Sequence, residues 1–92
     1  MNCTEEQLKT IEADAFVAMT PSEIARDIGV PAEEFKEELQ KTESPVALSY
    51  KSGQIKAVRL AKEQIMEQAK IGNPTALEQF LHNITDMMDD EQ

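Results

Sequence analysis

Apolar residues recur at intervals of three and four along most of the chain, which is the spacing of residues on one face of an α-helix. This pattern predicts five helices, over about residues 5–18, 21–28, 31–41, 46–71 and 74–88. Aromatic residues make up only 4% of the chain, and residues that favour strands are scarce. We therefore expect an all-α fold.

Start and stop signals mark the first helices. Thr4 is followed three residues later by Gln7, and Thr20 is followed at the same distance by Glu23. This is the spacing of a capping box, in which two side chains satisfy free amides of the first helical turn. Gly29 can take a left-handed backbone conformation, so we expect the second helix to end there.

Residues 23–35, EIARDIGVPAEEF, have the residue types of a helix-turn-helix, in which two helices cross steeply with almost no connection. Ala25 permits a close approach of the helices, and Gly29 suits the tight turn. Val30 can fill the turn, and Phe35 can return a large apolar side chain to the junction. We expect a helix-turn-helix unit over residues 1–41, although other short helical hairpins share this pattern.

A break between helices is predicted at KTESPV, residues 41–46, because Ser44 and Pro45 do not continue a helix. Residues 42–92 are then expected to form a second unit, an antiparallel two-helix hairpin with a short, frayed acidic tail over residues 86–92. Within its first helix, Ser52 and Gly53 are expected to interrupt or kink the chain.

The predicted hairpin has more apolar surface than two helices can bury against each other. Only Gly72, Asn73 and Pro74 connect its helices, which favours an antiparallel arrangement. The excess apolar surface predicts packing against another copy of the chain. The candidate oligomerisation residues are Val58, Ala61, Ile65, Leu77, Phe80, Leu81 and Ile84.

The formal net charge is −9, which taken alone disfavours nucleic acid. The charge is uneven, because residues 41–72 carry +3 and the remaining segments are acidic. Cys3 is the only cysteine, so no internal disulfide is possible. No apolar run is long enough to span a membrane and no secretory signal is recognisable at Met1, so we expect a cytoplasmic location without membrane contact.

Two surfaces are candidates for DNA contact. The first is the outward face of the third helix, where base edges are read in such motifs, together with the start of the second helix; its candidates are Ser22, Arg26, Ala32, Glu33, Lys36 and Gln40. The second is a line of cations on the long helix, formed by Lys56, Arg59 and Lys62. The alternative for this line is a solvated face with helix ion pairs, such as Arg59 with Glu63.

Catalytic chemistry is not predicted. The sequence offers no convincing nucleophile–base pair, no glycine-rich phosphate loop and no cluster of metal ligands. His82 has only Glu78 and Asp86 one turn to either side, which is the pattern of a solvated helix face. We therefore expect a protein that is not an enzyme and that needs no cofactor or metal.

The order of these parts resembles the small terminase subunits of tailed bacteriophages and prophages. The resemblance runs through MTPSEIARDIGVPAEEF and then ALSYKSGQIKAVRLAKEQIMEQAKIGNPTALEQFLHNI, which together cover most of the chain. It implies a DNA-binding helix-turn-helix joined to a hairpin that assembles into a ring. It also implies that the protein recognises double-stranded phage DNA in the bacterial host and hands it to a large terminase subunit, with the acidic tail as a candidate contact.

Two other functions fit the same elements. The chain is also compatible with a small dimeric transcriptional regulator that uses the helix-turn-helix. Because Glu33 and Glu37 repel phosphates, it is equally compatible with a protein-interaction module whose helix-turn-helix does not touch DNA.

Overall fold

The computed structural model of the protein describes residues 1–90 and contains only helices in that range. The helices are α1 (Glu5–Phe16), α2 (Pro21–Ile28), α3 (Ala32–Leu39), α4 (Pro45–Lys70) and α5 (Pro74–Asp90). The expected all-α fold is confirmed. None of these helices combines the length and apolar character that crossing a membrane requires.

Both predicted capping boxes are present. The Thr4 hydroxyl accepts a hydrogen bond from the Gln7 amide at 3.1 Å, and the Gln7 side chain accepts one from the Thr4 amide at 2.8 Å. Thr20 and Glu23 exchange the same two bonds at 3.2 and 2.9 Å. These side chains satisfy amides that lack a partner within the helix, which fixes where α1 and α2 begin.

Three helices end in the same way, with one residue in the left-handed region. That residue is Gly29 after α2 (φ 78°), Gly72 after α4 (φ 91°) and, unexpectedly, Ala18 after α1 (φ 66°). In α1, the Met19 amide reaches back to the Asp14 carbonyl at 3.1 Å, as in a Schellman motif. The predicted extension of the first helix to Ala18 is therefore wrong, because this motif ends α1 at Phe16.

The chain divides into two compact units, Met1–Ala57 and a second unit that begins at Val58. The core of the first unit consists of Ile11, Ala15, Ile24, Ala25, Phe35 and Val46. Val46 lies at the start of α4, and Tyr50, one turn further, packs against the same core. The first turns of α4 therefore belong to the first unit, so the compact units divide within α4 and not at the break before it.

Gly53 does not interrupt α4, as the sequence had suggested, but allows α4 to approach α1 closely. A Cβ atom at this position would lie 2.7 Å from the Ala15 Cβ atom and still closer to the Glu12 carbonyl oxygen. No side chain fits at such distances. Glycine is thus required by packing, and the helix runs through it unbroken.

The break between α3 and α4 is held by Glu38, a buried carboxylate. The Ser44 hydroxyl accepts from the Val46 amide at 3.2 Å, which caps α4, and donates to Glu38 at 2.6 Å. Lys41 donates to the same carboxylate at 3.1 Å. These hydrogen bonds, from Ser44 first and then Lys41, lower the pKa of Glu38 to about 2.

The second unit contains the later turns of α4 and all of α5. Residues early in this part of α4 share a groove with residues late in α5, such as Lys62 with Met87, and Gln68 shares another groove with Asn73. Parts of α4 and α5 therefore line common grooves in this unit. Asn73 caps α5 by accepting from the Ala76 amide at 3.1 Å, as predicted.

The first residues of the predicted frayed tail are helical. Residues 86–90 continue α5 as helix, so the expectation of a frayed segment from Asp86 is wrong for them. They extend a helix that already has its hydrogen-bonded turns in place, which is less costly than starting a new one. The last two residues of the proposed tail, Glu91 and Gln92, lie outside the described residues.

Candidate nucleic-acid and assembly surfaces

The first candidate surface lies on α2 and α3 in the first unit. Ser22 and Arg26 on α2 are exposed, as are Glu33 and Lys36 on α3 and Gln40 directly after it. Their accessibility agrees with the prediction that they face outward.

Ala32 departs from that prediction. It is half-buried and packs against the core of the first unit, so its placement on the outward face is wrong. It is the first residue of α3 and follows directly on the turn, whose Val30 packs against the same core. The alanine methyl group there contributes to packing against this core.

The outward face of α3 is predominantly acidic. Glu33, Glu34 and Glu37 are all exposed beside the single exposed cation Lys36. Carboxylates can accept a hydrogen bond from cytosine, but they are repelled by phosphates. Lys36 is the only cation in α3, and Arg26 is the only cation in α2.

The cations of the second candidate surface are largely engaged by carboxylates. Lys56, in the first unit, donates to Glu12 at 2.5 Å. In the second unit, the Arg59 Nε atom donates to Glu63 at 2.8 Å, and this hydrogen bond raises the pKa of Arg59. The predicted ion pair between Arg59 and Glu63 is therefore present.

Lys62 differs from these two cations. It is exposed, and within residues 1–90 it makes no ion pair. Its side chain lines a mainly apolar groove with Phe80, Ile84 and Met87 of α5. Of the three cations in the predicted line, Lys62 is thus the one whose charge is not already balanced.

The oligomerisation candidates fall into two groups. Ile65, Phe80 and Ile84 are half-buried and line the grooves that α4 and α5 share. The other candidates are exposed to solvent in a single copy of the chain. Ala61 is exposed, and the side chains of Val58, Leu77 and Leu81 are 53%, 47% and 56% exposed. In the described part of the second unit no residue is fully buried.

A carboxyl pair that was not predicted, Asp14 and Asp27, lies between α1 and α2. The pKa of Asp14 is raised to about 6. The largest cause is the burial of its carboxyl group, and the next is a hydrogen bond to Asp27. Two carboxyl groups form such a bond only when one of them holds a proton. Without that proton the buried Asp14 Oδ2 atom has no partner. The residues are thirteen apart on different helices, so no local sequence signal identifies the pair.

Within residues 1–90, no group of three or more His, Cys, Asp or Glu side chains is placed to hold a metal ion. No protein-family model, curated protein sequence or solved structure matches the chain. The resemblance to small terminase subunits therefore rests on the sequence motifs alone.

Proposed function

We propose that the protein is a non-catalytic DNA adaptor of the small-terminase kind. In this proposal it acts in the cytoplasm of a bacterial host, binds double-stranded DNA through the first unit, and assembles with copies of itself through the second. The assembled protein then hands DNA to a large terminase subunit.

The observation that carries the proposal is the exposed apolar surface of the second unit. Val58, Leu77 and Leu81 are each about half exposed, although they are large apolar side chains on otherwise regular helices. Such residues gain about 25 cal/mol for each Å² that a partner removes from water. A hairpin of this kind favours a homo-oligomer, and many copies together would compensate for weak DNA contact by each copy.

The DNA-binding part is tested by titrating a labelled duplex with the protein at several salt concentrations. Two double variants distinguish the surfaces, Arg26→Ala with Lys36→Ala in the first unit and Arg59→Ala with Lys62→Ala in the second. Each phosphate contact contributes about 0.9 to the slope of log affinity against log salt, so the double variant on the DNA surface should lower the slope by about 2. Lys70→Ala, whose lysine pairs with Glu67, is the control.

A second candidate function is a protein-interaction module that does not bind DNA. The acidic outward face of α3 and the carboxylate partners of Lys56 and Arg59 favour it. If no duplex binds even at low salt, the result would support the protein-interaction module and exclude the proposed function as a DNA adaptor. A dimer that binds duplex would instead support the transcriptional regulator, whereas a larger ring favours the adaptor.

A further inference from the structure

An apolar groove lies between the end of α3 and the first turns of α4, within the first unit. It is lined by Leu39, Ala47, Leu48, Tyr50 and Lys51, and we call it the α3–α4 groove. Leu48 is 56% exposed there, although large apolar residues of a small domain usually lie inside. Nothing in the first unit covers it.

The α3–α4 groove differs from two other grooves of the first unit because no carboxylate lines it. Its lining contains Lys51 and no carboxylate. The groove near the start of α1 is lined by Glu34, Glu37 and Glu38 together with Lys41, and the groove between α1 and α4 contains Glu12 together with Lys9 and Lys56. In a chain with 18 Asp and Glu against 9 Lys and Arg, a groove free of carboxylates is suited to an acidic, apolar partner.

Helix α5 presents a surface of this kind. Leu77, Leu81 and Met88 are spaced by four and seven residues and are 47%, 56% and 58% exposed, so they form one open stripe. Glu78 and Asp89 follow directly on two members of the stripe and are exposed. No lysine or arginine lies anywhere in α5.

We infer that the α3–α4 groove binds the Leu77–Leu81–Met88 stripe of α5 from a second copy of the chain. The apolar stripe would cover Leu48 and Tyr50, and the acidic flank would lie near Lys51. This inference rests on the self-association in the proposed function and specifies its partner surfaces.

The same charges oppose the simplest alternative, in which two α5 stripes pair with each other. That arrangement would bring the acidic residues of two helices together without any lysine or arginine from α5 to balance them. Like charges on facing helices are destabilising. A contact between a groove on one copy and a helix on the next copy is instead head-to-tail. Head-to-tail contacts produce a ring when the rotation from each copy to the next adds up to a full turn.

Disulfide cross-linking between two tagged populations tests the inference. Both carry Cys3→Ser; one carries Leu48→Cys and the other Leu81→Cys, so a mixed cross-link can form only between different copies. We expect the mixed product to dominate at concentrations where light scattering shows assembly. Lys51→Glu on the groove chain should lower its yield several-fold.

Val17→Cys is the matched control for Leu48→Cys. Val17 is 65% exposed in a groove that contains Lys9, Glu12 and Lys56, so it is at least as accessible and also has cations nearby, but it lies outside the α3–α4 groove. Equal cross-linking of Leu81→Cys to both positions would overturn the inference, as would a yield unaffected by Lys51→Glu. Circular dichroism of each variant confirms that the helices are retained.

The outcomes separate the inference from the proposed function. Assembly with cross-links only between two Leu81→Cys chains would show that hairpins pair with each other, which overturns the inference and leaves self-association intact. A monomer at all concentrations would overturn both. Duplex binding is measured separately and does not enter either result.

Discussion

Ala18 has the backbone conformation that glycine has at the two equivalent helix ends. Its φ of 66° places it in the left-handed region, where a Cβ atom costs about 1 kcal/mol. Gly29 and Gly72 take this position after α2 and α4 without that cost. Because Ala18 is exposed, its methyl group contributes little packing in return.

We therefore predict that Ala18→Gly raises the free energy of unfolding by about 1 kcal/mol or slightly less, since glycine also gains freedom in the unfolded chain. Gly29→Ala should lower it by a similar amount, because nothing lies within 4 Å of the added Cβ atom and only the backbone conformation opposes it. Urea denaturation measures both. A destabilised Ala18→Gly variant would contradict this account of the α1 terminus.

Asp14 makes the stability of the first unit depend on pH. Its pKa rises from 3.8 to about 6 on folding, so the folded state binds the proton more tightly than the unfolded state. The resulting stabilisation is present below pH 3.8 and is lost as the pH rises through about 6.

Asp14→Asn should therefore stabilise the protein at pH 7 by an amount on the order of 1 kcal/mol, after allowance for solvent screening. The gain over the wild type should shrink as the pH falls below 6. Urea denaturation at several pH values gives the difference, which isolates Asp14 from the other carboxylates. A difference that does not change with pH would show that Asp14 is ionised in the folded protein.

At the scale of helices, Gly53 determines how closely α1 and α4 approach. Glycine inside an exposed helix usually costs about 1 kcal/mol relative to alanine, so Gly→Ala ordinarily stabilises. Here the added methyl group would collide with the Glu12 carbonyl and with Ala15.

We predict the opposite sign at this position, with Gly53→Ala lowering the free energy of unfolding by about 1–3 kcal/mol through overpacking. Gln68→Ala, at an exposed position of the same helix, should change it by less than about 0.5 kcal/mol. Thermal and urea denaturation test both variants. If Gly53→Ala proved stabilising, the close approach of the two helices would be refuted.

The helices were predictable because their signals are local. Thr4, Thr20 and Asn73 act within three residues of themselves, and their caps were found where the sequence placed them. The role of Gly53 depends on Glu12 and Ala15, about forty residues away, so its local reading as a helix interruption failed. Spacing alone did not distinguish a flexible glycine from one that is required by packing.

The division of α4 was missed for a related reason. A periodic pattern shows that a helix continues, but not which part of the chain each turn packs against. Val46, Tyr50 and Gly53 are spaced by four and three residues, so they lie on one face of α4. The packing of this face shows that the start of α4 belongs to the first core. The same limit applied to the candidate surfaces, where periodicity did not separate Ile65 from Leu77.

For the whole molecule, the two groups of apolar residues in the second unit predict separable effects. Phe80 is half-buried against α4, so Phe80→Ala should lower the stability of the hairpin by about 1–2 kcal/mol and thereby weaken assembly. Leu81 is 56% exposed in a single copy, so Leu81→Ser should weaken assembly while leaving the helices of the isolated chain intact.

Sedimentation and thermal unfolding at several protein concentrations distinguish these effects. An assembling protein unfolds at a higher temperature when it is more concentrated, because assembly stabilises the folded state by mass action. Leu81→Ser should abolish this concentration dependence, and its unfolding temperature should equal that of the dilute wild-type protein. Phe80→Ala should instead unfold at a lower temperature than the wild-type protein even at high dilution. If Leu81→Ser assembled like the wild type, the open stripe on α5 would not be an interface, and its exposed apolar residues would need another partner.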